Sequence, residues 1–114
     1  MKKFDLEDRT LDFSKEIIRL CKLIPKNIIT IPLIGQVIRS GTAIGANYIE
    51  ANDSLGKKDF IHRVKIARKE AKETIYWLNL IIEAENKSDE KITILLKEST
   101  ELKNILSAII NKTK

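Results

Sequence analysis

Lys58, His62, Lys65, Lys69, Lys72 and Tyr76 follow one another at four-, three-, four-, three- and four-residue steps. On a helix that spacing puts all six on one line, which makes them the residues of this chain best arranged to do chemistry. From Lys57 to Lys72 the sequence carries seven basic residues, Arg63 and Arg68 among them, against Asp59 and Glu70. This local charge of +5 equals that of the whole chain, so the remainder sums to zero. A row of ammonium and guanidinium groups suits phosphate oxygens, and contacts of that kind give affinity without reading bases. A solvated lysine face has the same spacing, and a composition rich in Ile, Lys and Asn weakens the link between lysine number and ligand.

A second constellation lies in LIGQVIRSGTAIGANYIEA, Leu33 to Ala51. At 100° per residue Gln36, Arg39, Ser40, Asn47 and Glu50 share one face, and Ile34, Val37, Gly41, Ile44 and Tyr48 share another. The polar set has the donors and acceptors to bind a ligand, a neighbouring subunit or side chains of its own fold. Arg39 and Glu50 stand about 16 Å apart along a helix, so each must find its partner elsewhere.

Other chemistry is thinly supported. His62 is the only histidine and Cys21 the only cysteine. A Ser-His-Asp or Cys-His mechanism would rest on His62, which falls on the basic face, while Cys21 falls among apolar residues as a buried thiol does. One cysteine excludes an internal disulfide and a cysteine zinc site. The paired Glu-x-x-His motifs of di-iron bundles are absent, and neither a metal nor another cofactor is expected.

These residues need helices to position them. The chain has 114 residues, two prolines, four glycines and few aromatics, which points to one all-α domain spanning 1–114. Asp5 can cap a first helix running to about Leu23, ahead of Pro25, with Phe13, Ile17, Leu20 and Ile24 as its core stripe. PKNIITIP reads as a connection packed by its isoleucines, with Thr30 or Ile31 preceding the second helix and Pro32 in its first turn. Gly41 and Gly45 each cost about 1 kcal/mol in a helix interior, so close approach by a neighbour is expected there. Ala67 and Ala71 of the third helix are small enough to provide it.

Asn52 to Ser54 forms a turn in which Ser54 can cap the third helix, which continues to about Asn86. Phe60, Val64, Ala67, Ala71, Ile75, Leu78 and Ile82 make its core stripe. Ile66, Trp77 and Leu80 project outside that stripe and need cover from another helix or a second subunit. Asn86 supplies a C-cap, Ser88 or Asp89 the next N-cap, and the fourth helix carries Ile92, Leu95, Ser99, Leu102, Leu106 and Ile109 before fraying near Asn111. Four amphipathic helices with short connections predict an antiparallel up-down-up-down bundle. The N-terminus lacks the apolar core of a signal peptide and no apolar run spans a bilayer, so a cytoplasmic protein without a membrane role is expected.

QVIRSGTAIGANYIEA, followed by KDFIHRVKIA and KEAKETIYWLNLI, resembles the four-helix-bundle family that includes proteins encoded within intervening sequences of bacterial large-subunit ribosomal RNA genes. The specific part is Gln36, Arg39, Ser40, Asn47 and Glu50 joined to Asp59-Phe60 and Tyr76-Trp77-Leu78. The resemblance implies a closed ring, a homopentamer. It also brings a more distant relative, the accessory variability protein of diversity-generating retroelements, which is basic, pentameric and associates with nucleic acid and a reverse transcriptase. The leading expectation is a non-enzymatic oligomeric scaffold contacting RNA or DNA phosphates through Lys58, Lys65, Lys69 and Lys72. A protein-interaction module without nucleic acid, or an enzyme using Arg39, Asn47 and Glu50, are the alternatives.

Overall fold

The structure is a computed structural model that describes residues 5–86 and 89–114. Its elements are α1 (Leu6–Leu23), α2 (Thr30–Asn52), α3 (Lys57–Glu85) and α4 (Glu90–Thr113), an all-α up-down-up-down bundle. Each helix packs on its sequence neighbours and α1 also meets α4, while among the described residues no Cα of a diagonal pair comes within 8 Å of the other helix. The α1–α4 seam is the slightest of the four. It is tied by Arg9, whose guanidinium donates to Glu98 at 2.6 and 2.7 Å and to Glu101 at 2.9 Å.

Local signals set the helix ends. The Asp5 carboxylate accepts from the Glu7 N–H at 2.9 Å and that of Asp89 from the Ile92 N–H at 3.0 Å, so each satisfies a donor that its helix leaves open. Asn86 ends α3 in the left-handed conformation, φ 54°, which asparagine tolerates better than most residues. Ser88, the other expected cap, lies outside the described residues.

Four local expectations are corrected. Thr30 does not precede α2 but begins it; the capping acceptor is the Asn27 side chain, which takes the N–H groups of Ile29 and Thr30 at 2.9 Å. Thr30 itself is fully buried because its hydroxyl donates to the Pro25 carbonyl at 2.6 Å and accepts from the Asn27 N–H at 2.9 Å. That leaves Ile28, Ile29 and Ile31 outside, so the connection is closed by hydrogen bonds rather than packed by isoleucines. At the start of α3 the N-cap is Gly56, in extended conformation, and Ser54 reaches only the Gly56 carbonyl, at 3.5 Å. Finally, α4 continues through Thr113, and the residue its last turn buries fully is Ile110, with Ile109 half-buried beside it.

The core stripe of α1 is buried as expected, and on α2 Val37, Gly41 and Ile44 are buried while Ile34 and Tyr48 are half-buried against the core. On α3, Val64, Ala67, Ala71 and Leu78 are buried, but Phe60, Ile75 and Ile82 lie at its edge. Glu70, Thr74 and Ile81 take the inner positions instead.

The glycines of α2 face a different neighbour from the one expected. A methyl group on Gly41 would lie 2.9 Å from Ile17 Cγ1, and one on Gly45 would lie 2.8 Å from Thr10 Oγ1 and 3.0 Å from Thr10 Cβ. Both contacts are with α1. Ala67 and Ala71 are buried, and α2 and α3 touch as expected, but the atoms nearest the glycines belong to α1.

Candidate nucleic-acid interface

The side of α2 that meets α3 is polar. Thr74 Oγ1 donates to the Glu70 carbonyl at 2.8 Å, which leaves the fully buried Ser40 hydroxyl to donate to Thr74 Oγ1 across 2.9 Å. Beside it Arg39 reaches across to α3, with Nη1 3.1 Å from Glu70 Oε1 and Nη2 against Glu73 Oε1. Its Nε donates to Gln36 Oε1 at 3.0 Å. These carboxylates hold the guanidinium pKa above its ordinary value, the Glu73 hydrogen bond contributing most. The polar face of α2 therefore divides: Gln36, Arg39 and Ser40 join α2 to α3, while Asn47 turns back to the Ala43 carbonyl at 2.9 Å and Glu50 faces solvent. No hydrogen bond links Asn47 or Glu50 to Arg39 among the described residues.

Arg39 has a consequence for α3. Glu70 and Glu73, two carboxylates of α3, both pair with it. Lys58, His62, Lys65, Lys69 and Lys72 are exposed along the outer side of α3, and none has an ion-pair or hydrogen-bond partner among the described residues. Arg63 and Arg68 are half-buried at its margins, Arg68 donating to Ser107 Oγ at 3.3 Å on α4. An exposed row of unneutralised cations is what phosphate binding requires.

The row ends in aromatic rings. Tyr76 is 60% exposed and meets Trp77 edge to face, with ring centroids 5.1 Å apart and planes at 77°. Lys65, Arg68, Lys69, Lys72, Glu73 and the two rings line an open depression of about 420 Å³. The Trp77 indole N–H is enclosed and has no acceptor, a state no other buried side-chain polar atom shares among the described residues. The sequence marks Tyr76 as part of the row, but the ring contact and the orphaned indole donor depend on packing.

Ile66, Trp77 and Leu80 are half-buried, and Trp77 packs against the core. The more exposed apolar surface lies on the opposite layer. On α2, Ile31, Ile38, Thr42 and Ile49 fall within about 20° of one line. Ile31, Ile38 and Ile49 are 57%, 36% and 47% exposed. In an antiparallel pair, stepping one residue on from each contact turns both helices to the same side of the seam. Leu11 and Ile18 follow Thr10 and Ile17, and Thr42 and Ala46 follow Gly41 and Gly45, so these residues share one outer side of the pair, with Lys15 and Lys22 one turn on from Leu11 and Ile18. Periodicity marks this face only weakly, because its apolar residues look like a widened core stripe.

Among the described residues no cluster of His, Cys, Asp and Glu could hold a metal ion, and no helix is long and apolar enough to cross a membrane. Cys21 is buried, and burial pushes its thiol pKa up to about 11 against a slight opposing pull from Lys26.

Comparison with known proteins agrees with this architecture. The family model for 23S rRNA-intervening sequence proteins matches residues 2–108. A solved structure of a protein of unknown function from the S23 ribosomal protein family of Bacteroides thetaiotaomicron VPI-5482 is similar at 36% identity and a TM-score of 0.83. The similarity covers 93% of this chain and 98% of that one. Curated proteins give no match.

Proposed function

The chain belongs to the 23S rRNA-intervening sequence protein family, and from that premise we propose a non-enzymatic, self-associating cytoplasmic scaffold that binds RNA or DNA phosphates through the outer row of α3. One observation carries the reading: Lys58, Lys65, Lys69 and Lys72 are exposed in register and unpaired among the described residues, while Glu70 and Glu73 of the same helix pair with Arg39. A single copy offers few phosphate contacts, so affinity per copy is low. A closed homo-oligomer, a pentamer by resemblance to ring-forming relatives, repeats the row and gains avidity where several copies engage one polymer.

The exposed face of α1 and α2 supports self-association, because an uncharged apolar stripe along a helix is costly to leave in water. Its occupant in this reading is a second copy of the chain.

Fluorescence anisotropy with labelled RNA and DNA across a salt series tests the phosphate contact. Log affinity should fall linearly with log salt, by about 0.9 per duplex phosphate neutralised, with little sequence preference. Replacing Lys65, Lys69 and Lys72 with Gln should flatten the slope while leaving helicity and mass unchanged. Absence of binding to both polymers at low salt, or an unchanged slope in the triple variant, would overturn the reading.

A further inference from the structure

We infer that the Tyr76 end of the cation row is a base-stacking subsite, which makes the preferred ligand a single strand of nucleic acid rather than a duplex. The inference rests on the phosphate reading of the α3 row and adds what that row cannot supply, a means of recognising bases.

Three observations meet at this end. Tyr76 is well exposed although Trp77, its neighbour in sequence and its edge-to-face partner, packs against the core. Trp77 thereby anchors the Tyr76 ring without covering it, so a base meets a ring already held in place rather than a freely rotating one. Tyr76 continues the helical line of Lys65, Lys69 and Lys72, and all four line the same open depression. A strand laid along α3 therefore places its backbone on the lysines and a base at the aromatic end. Trp77 also lines that depression, while its indole N–H is enclosed and has no acceptor.

Strand type follows from which surfaces each polymer exposes. In a duplex both faces of every internal base are stacked on neighbours, so Tyr76 has nothing to lie against and only the phosphates interact. A single strand can turn a base out and lay its π-face on an aromatic side chain, a contact tolerant of sequence because every base has such a face. The lysines alone do not prefer the more flexible polymer.

The protein carries one tryptophan, 5.1 Å from Tyr76, so its emission reports on this site without a label. The parent is titrated at low salt with a single strand of RNA about 20 nucleotides long, the same strand of DNA, their duplexes, and an abasic DNA strand of equal length. Single strands should bind about five- to a hundred-fold tighter than duplex or abasic strand and should change the Trp77 emission. Tyr76→Ala should remove that preference yet keep the salt slope; Tyr76→Phe, which retains the ring, should keep both. RNA against DNA decides whether the 2′-hydroxyl contributes. If duplex, abasic and single strands bind alike, or if Tyr76→Ala keeps the preference, the stacking subsite is wrong while phosphate binding stands. If no polymer binds, both readings fall together.

Discussion

The two flanks of α2 are built on opposite principles. Towards α1 it presents glycines, and the helices close until Gly45 leaves no room for a methyl group against Thr10. Towards α3 it presents Ser40 and Arg39, and the contact is made by hydrogen bonds and ion pairs. The outer surfaces beyond the flanks differ accordingly. Beyond the glycine seam α2 presents an uncharged, largely apolar line; beyond the polar seam, α3 presents exposed cations while Glu70 and Glu73 pair with Arg39. One helix thus sets up two surfaces, one suited to a copy of the protein and one to a polyanion.

The largest expected effect separates these surfaces. Ile38→Glu puts a charge on the apolar layer, and an unpaired charge buried in an interface costs several kcal/mol, so light scattering should show the oligomer shifting to monomer. Trp77→Glu is the competing test, since the sequence pointed to Ile66, Trp77 and Leu80. Dissociation by Trp77→Glu with an intact Ile38→Glu oligomer would move the interface to α3, and a monomeric parent at micromolar concentration would end the proposal of self-association.

Within the glycine flank, Gly45→Leu should cost about 1 to 3 kcal/mol or more in urea denaturation, because Thr10 is short and sits against main chain that cannot yield. Gly35, in the same helix, has nothing within 4 Å of where an added methyl group would sit, and Gly35→Ala should gain about 1 kcal/mol from helix propensity. Equal responses at the two positions would mean that the seam is open.

Cys21 gives a smaller, pH-dependent effect. Its folded-state pKa is raised to about 11 from 9.0, so the fold favours the neutral thiol. That contribution is complete below about pH 9 and is lost as pH rises towards 11, amounting to about 3 kcal/mol at most. The stability of the parent should therefore fall more steeply over that window than that of Cys21→Ala, lysine and tyrosine titration being common to both. Parallel pH profiles would show that the thiol is not desolvated.

The smallest effect tests the link between the flanks. Arg39→Gln releases Glu70 and Glu73 beside the lysine row and should weaken RNA binding a few-fold, although Arg39 is not in the row. Adding Glu73→Gln should restore part of the loss. If the double variant binds no better than the single, Arg39 does not govern the charge of α3.

What the sequence determined by itself was whatever depends on near neighbours in the chain. Asp5, Asn86 and Asp89 mark helix ends because caps act within three or four residues. The 3.6-residue period of apolar side chains is enough for four helices and most of the core, and the three- and four-residue steps from Lys58 to Tyr76 are enough for a continuous row. A period identifies a face but not what lies against it. Tertiary structure alone decided that the glycines meet α1, that Ser40 goes inside with Thr74, and that Glu70, read in the sequence only as a charge offsetting the basic run, is 8% exposed beneath Arg39. It also decided that Glu70 and Glu73 of α3 pair with an arginine 31 and 34 residues away in the chain, a contact that no local pattern encodes.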